Sequence, residues 1–317
     1  MNRPLAFLAA LIFAAISVSS ACIAGPLPDS ISFELKPSLQ SGNLQLALFE
    51  RRKGQNNSMS GNSYAPKDLV GLDYRTFVRS GPVSFALVRE AGRVDCAGTS
   101  RNSLATGDCR FTADPSFSDF LASRGIGRPS RDEAFALAMT NAHRALVETL
   151  AANNYPRPDI DKLIALSALD VTQGYINALA ARGFRPKDLD ELTSFAALHI
   201  TPEYIEGLKR AGFASLDADE IVQFKALDIT PQFVATMAAA GYPKLTTDEL
   251  VQFKALHITP EFIDGFRRAG FTDLGVDTVV QLKALDVTPE FIQSLKAHGL
   301  YPKTTDQLVK LKIGLDE

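Results

Sequence analysis

The chain has 317 residues, 46% hydrophobic and 22% charged, with a formal net charge of −3. That balance fits a folded chain with a sizeable core and excludes the low-hydrophobicity, high-charge class that stays disordered. It also gives no basic stripe, so no nucleic-acid partner is expected.

The first residues, MNRPLAFLAALIFAAISVSSACIAG, have a basic Arg3, an apolar run from Leu5 to Val18 and then small residues. This is the layout of a secretory signal over residues 1–24, and its apolar core is short for a membrane span. The mature chain is therefore expected to be exported, periplasmic or associated with the outer envelope, with no transmembrane span. Two cleavage routes stay open. SSA before Cys22 offers a lipobox-like site that would leave Cys22 acylated as a lipid anchor, although Ser19 stands where Leu is usual; cleavage after Ala24 discards Cys22.

Residues 25–112 read as a small antiparallel β domain. ISFEL, LQLALFE, VSFALV, RVDC and CRFT alternate or run apolar at strand length, and the polar stretch RRKGQNNSMSGNSYAP reads as a loop between them. Alternation puts Val94 and Cys96 on one face of one strand and Cys109 and Phe111 on one face of the next, across a Gly-bearing turn. In an oxidising compartment Cys96 and Cys109 should form a disulfide; two buried free thiols are the alternative. A zinc site would need further ligands, and no His lies near them in sequence.

Residues 113–317 carry an internal repeat. Thr172, Thr201, Thr230, Thr259 and Thr288 are 29 residues apart, as are Gly183, Gly212, Gly241, Gly270 and Gly299. LHITPEYIEGLKRAGF and LHITPEFIDGFRRAGF are nearly the same phrase written twice. Each unit spells two short helices. The first opens with Thr as N-cap, usually followed by Pro, and closes on Gly in the left-handed cap position. The second opens with pairs such as Asp217 with Glu220 and Thr246 with Glu249, in capping-box spacing. The register runs back to Asn154 and Gly125, giving about seven 29-residue units from Ala113 onward. A lone amphipathic hairpin cannot bury its apolar face but a stack can, so the expected fold is α+β: a β domain followed by an α-helical solenoid of helix hairpins.

VTPEFIQSLKAHG, DELVQFKALHITPEF and the hairpin leading into FTADPSF resemble the extracytoplasmic helical repeats of BlaR1-like M56 metallopeptidases and of their stand-alone secreted relatives. The resemblance spans residues 83–317 and implies a non-catalytic repeat region connected with envelope sensing. The peptidase activity is not carried over, since the chain has no HExxH and no multispan membrane region.

Nothing in the sequence builds an active site. His143, His199, His257 and His298 have no Cys or carboxylate partner at metal-ligand spacing, and neither a phosphate loop after a strand nor a Gly-x-Ser-x-Gly elbow occurs. No cofactor, no metal and no catalysis are expected. Two patterns go beyond helix capping. Asp170, His199, Asp228, His257 and Asp286 alternate acid and imidazole two residues before each cap Thr; they form either a solvated loop row or a mildly pH-sensitive ladder. On the first helices Asn177, Glu206, Ala235, Asp264 and Gln293, with Ala180, Lys209, Ala238, Arg267 and Lys296 beside them, vary from unit to unit, marking either plain solvent exposure or a partner-binding surface. The function expected is an exported, non-catalytic interaction module for a protein or peptide in the cell envelope. A ligand sensor or enzyme, with its site in the β domain or at its junction with the repeats, is the alternative.

Overall fold

The computed structural model describes residues 31–39, 42–52 and 55–315. The segment read as a secretory signal, residues 1–24, and with it Cys22, lies outside the described residues. Among the described residues an antiparallel sheet is followed by a long succession of short helices, an α+β arrangement. The chain divides into two compact units, one running to Arg144 and including Asp159–Ile164, the other made of Ala145–Pro158 and the chain from Ala165 onward.

In the first unit, strands β1 (Ile31–Pro37), β2 (Leu44–Arg52), β3 (Gln55–Tyr64), β4 (Leu69–Val70), β5 (Ser80–Arg89), β6 (Gly92–Arg101) and β7 (Leu104–Ala113) make one sheet in the order β3-β2-β1-β7-β6-β5-β4, with helix α1 (Tyr74–Arg79) between β4 and β5. Alternation decides its faces: Ile31, Phe33, Leu35, Leu44, Leu46, Leu48, Val94 and Phe111 are buried on the inner face. Phe33 meets Phe85 edge to face at 5.1 Å. Gly98 and Gly107 pair directly, and a Cβ on Gly107 would lie 2.8 Å from the Phe33 ring, so the close approach there requires glycine.

Cys96 and Cys109 oppose each other across β6 and β7, with Cα atoms 4.0 Å apart, and are joined in a disulfide. The polar stretch read as a loop instead holds the far end of β2 and the whole of β3. Strand pairing uses backbone groups, and β3 is an edge strand that pairs only with β2, so it needs none of the apolar alternation that marks an internal strand.

Helices α2 (Pro115–Ser123) and α3 (Arg131–Met139) complete this unit, α3 packing on β6 and β7 with Phe135 edge-on to Phe111 at 5.2 Å. Helix α4 (Arg144–Ala152) begins at a cap supplied from the sheet. Glu90, between β5 and β6, accepts from the Arg144 backbone N–H at 3.0 Å, from the Arg144 guanidinium at 3.1 Å and pairs with His143 Nδ1 at 2.9 Å. Burial pushes the Glu90 carboxyl up, but these hydrogen bonds outweigh it and hold the group below the usual carboxylate range.

The remaining helices are α5 (Ile160–Ala168), α6 (Gln173–Ala180), α7 (Leu189–Ala197), α8 (Pro202–Arg210), α9 (Ala218–Ala226), α10 (Pro231–Ala239), α11 (Thr247–Ala255), α12 (Pro260–Arg268), α13 (Val276–Ala284), α14 (Pro289–Ala297) and α15 (Thr305–Leu315). Thr172, Thr201, Thr230, Thr259 and Thr288 each accept the backbone N–H three residues on, at 3.1–3.3 Å, which caps α6, α8, α10, α12 and α14. The glycines after these helices have φ between +72° and +102°, and the next residue donates back five positions, as Phe213 N–H does to Leu208 O. That is a Schellman stop. Reciprocal capping boxes open α9 and α11, while at α7 and α15 the reaching side chain, Glu191 or Gln307, takes the N–H of Lys187 or Lys303, one residue earlier than expected.

Packing runs between alternate helices. The second helices α7, α9, α11, α13 and α15 touch in succession, as do the first helices α8 with α10 and α12 with α14. Phe195, Phe224 and Phe253 on the second helices are fully buried, each stabilising by roughly 1.5–3 kcal/mol. Over them lie the rings that follow the Schellman glycines: Phe184 on Phe195 at 5.4 Å, Phe213 on Phe224 at 5.6 Å and Tyr242 on Phe253 at 5.4 Å.

Candidate interaction surface

Among the residues of one hairpin, those that join its two helices are set apart from those that meet solvent. Lys225, Lys254 and Lys283 each place Nζ 4.8 Å from the ring centroid of Tyr204, Phe233 and Phe262, and Lys312 lies 5.4 Å from that of Phe291. These are cation–π contacts from a second helix to the first helix before it. Tyr175 and Tyr204 also donate their hydroxyls to Ile200 O at 2.8 Å and Ile229 O at 2.7 Å, and burial pushes both phenols well above their ordinary range. Aromatic and lysine rows are thus spent on holding the two helices of each hairpin together.

The alternating acid and imidazole row has a backbone cause. Asp170, His199, Asp228, His257 and Asp286 all have φ between +51° and +56°, and the residue after each donates back five positions, as Ile200 N–H does to Phe195 O. They are the left-handed stops of the second helices, where Asn, Asp and His are the side chains best tolerated after glycine. All are exposed, and among the described residues no bond links an acid of the row to an imidazole; Asp228 pairs with Lys254 Nζ at 3.3 Å.

The varying first-helix residues fall into two groups. Lys209 donates to Arg182 O at 3.0 Å, and Arg267 donates to Ala240 O at 2.6 Å and to Asp264 at 2.9 Å, so these cations reach back to the end of the preceding first helix. Asn177, Ala235, Gln293 and Lys296 are exposed, and Glu206 is half-buried with no ion pair among the described residues.

Beneath this lies a longer period. The units of α8 and α12 share His199 and His257, Gly207 and Gly265, Lys209 and Arg267, Arg210 and Arg268, each pair 58 residues apart, whereas α6 and α10 carry alanines in the last turn and α14 has Ser294, Lys296 and Ala297 at the matching positions. The glycines have a packing role: a Cβ on Gly207 would lie 2.7 Å from Pro231 Cγ, and one on Gly265 would run into Pro289. Arg210 and Arg268, the last residues of α8 and α12, are exposed and make no hydrogen bond or ion pair among the described residues. Comparing units two apart rather than one apart is the signal that finds them.

On the outer face of the sheet Ser84, Ala86 and Ala97 form the floor of an open depression of about 760 Å³ rimmed by Arg93, Asp95 and Arg110. Arg93 is already paired with Asp95 at 2.7 Å. Among the described residues no group of His, Cys, Asp and Glu is gathered as a metal site, and no single helix is long and apolar enough to cross a membrane. No family model matches the chain, and neither a curated protein nor a solved structure matches it.

Proposed function

We propose that the protein is an exported, non-catalytic interaction module in which seven or so 29-residue helix hairpins stack as a solenoid and present their first-helix faces to a protein or peptide of the cell envelope. The observation that carries this is the division of labour within the hairpin. Capping, aromatic and lysine positions repeat and are consumed in contacts inside each hairpin, while exposed first-helix positions change from unit to unit. The Cys96–Cys109 disulfide fits an oxidising compartment. Export by the N-terminal signal, with lipid anchoring through Cys22 as one of its two cleavage routes, and a link to envelope-stress sensing belong to the same reading, the last through the resemblance to BlaR1-like extracytoplasmic repeats. Crosslinking in intact cell envelopes followed by affinity capture should recover one dominant protein joined to the helical region. Recovery of the uncrosslinked chain alone, or of the chain in the cytosolic fraction, would overturn the reading.

A further inference from the structure

We infer that the exposed row Ala181, Arg210, Ala239, Arg268 and Ala297 is a docking surface for an extended acidic segment of a partner polypeptide, with Arg210 and Arg268 as its two anchors. This rests on the helical region being a binding array. The residues stand 29 apart in one register at the ends of α6, α8, α10, α12 and α14, and all five are exposed. Helix α10 sits between the two arginine helices: Pro231 abuts Gly207 of α8, and Arg267 of α12 reaches Ala240 just past the end of α10.

Helix-dipole complementation would explain a basic residue in the last turn of every first helix. Yet α6 and α10 have none there. The cations next to the anchors are consumed internally, Lys209 on Arg182 O and Arg267 on Ala240 O and Asp264. Arg210 and Arg268 have no such partner among the described residues, and Glu206, one turn before Arg210, makes no ion pair with it. What is left on this row is two unpaired guanidinium groups with a methyl-sized gap at Ala239 between them.

The spacing selects the ligand. Packed helices lie about 8–10 Å apart, which puts the anchors roughly 16–20 Å from each other. An extended chain advances about 3.3 Å per residue, so carboxylates about five or six residues apart reach both. Each guanidinium can take a carboxylate in the two-point geometry, while the chain between them crosses Ala239, whose side chain offers no bulk. A dense polyanion is a poorer match, since it carries charge every few ångströms and the protein's net charge is −3.

The test uses the full chain and two fluorescent peptides of one composition, Glu-Ser-Gly-Ser-Gly-Glu and an isomer with its glutamates adjacent. The spaced peptide should bind several-fold more tightly. Arg210→Gln and Arg268→Gln should each weaken it about five-fold, the worth of roughly 1 kcal/mol for an exposed ion pair, while Lys310→Gln on a second helix should change nothing. Thermal melts accompany each variant, and the conservative Arg210→Lys and Arg268→Lys variants, which keep the charge, should retain part of the binding. Equal affinity for the two isomers, unchanged binding by a folded double variant, or preferential binding of inorganic polyphosphate would overturn the inference. In envelope crosslinking, a partner captured equally by wild type and the double variant overturns this row and leaves the interaction-module reading standing; capture by neither defeats that reading.

Discussion

His199 holds φ +52° and His257 +54°, values that most L-residues avoid, because each must turn the chain out of a helix and back toward the next cap. The side chain is chosen for what the backbone tolerates. Replacing His199 with Asn should therefore leave the denaturation midpoint nearly unchanged, whereas Val, β-branched and disfavoured at positive φ, should cost about 1–3 kcal/mol. Similar losses for both would mean that the imidazole itself is bonded. Glu90 makes a different kind of residue-level claim. Its folded pKa is depressed, so its contribution is fully present above the ordinary carboxylate value and fades as pH falls through the lowered one. Glu90→Gln should lower stability by about 1–2 kcal/mol near neutrality and by little in acid below that point, the partial exposure of the site limiting the size. An equal loss at both pH values, followed by urea denaturation, would assign Glu90 a packing role. No spacing in the sequence announces this cap, since Glu90 and His143 are 53 residues apart and are joined only by the fold.

Among the elements, the first helices were the most legible. Thr before Pro and Gly eleven residues after that Thr fixed both ends of α8, α10, α12 and α14, because caps are local chemistry written in nearby residues. Strand β3 was not legible, because an edge strand is defined by its neighbour more than by its own pattern. Nor was the tight seam between first helices, where Gly in a helix interior looks like a flaw of about 1 kcal/mol relative to Ala. The seam reverses that sign. Gly265→Ala gains the helix preference but drives a Cβ into the Pro289 ring, and overpacking of that kind costs about 1–3 kcal/mol. A net loss of up to about 2 kcal/mol is expected by denaturant titration, with Gly207→Ala the milder of the two, its Cβ standing 2.7 Å from Pro231 Cγ. A stabilised Gly265→Ala protein would show that α12 and α14 do not press together there.

For the molecule as a whole, the sequence could separate a sheet from helical hairpins by period, 2 against 3.6, and could place the disulfide by parity. It could not decide between the sheet's outer depression and the first-helix row as the place where function resides, because both are made of ordinary surface residues that only three-dimensional register brings together. Photo-crosslinking in living cells separates them, with a photoreactive residue at Ala239 on the row, at Ala97 in the depression and at Ala226 on a second helix as control. A single partner protein joined from Ala239, and neither from Ala97 nor from Ala226, is the expected result. Crosslinks from Ala97 alone, or none from Ala239 in exported protein, would contradict a binding array on the first helices.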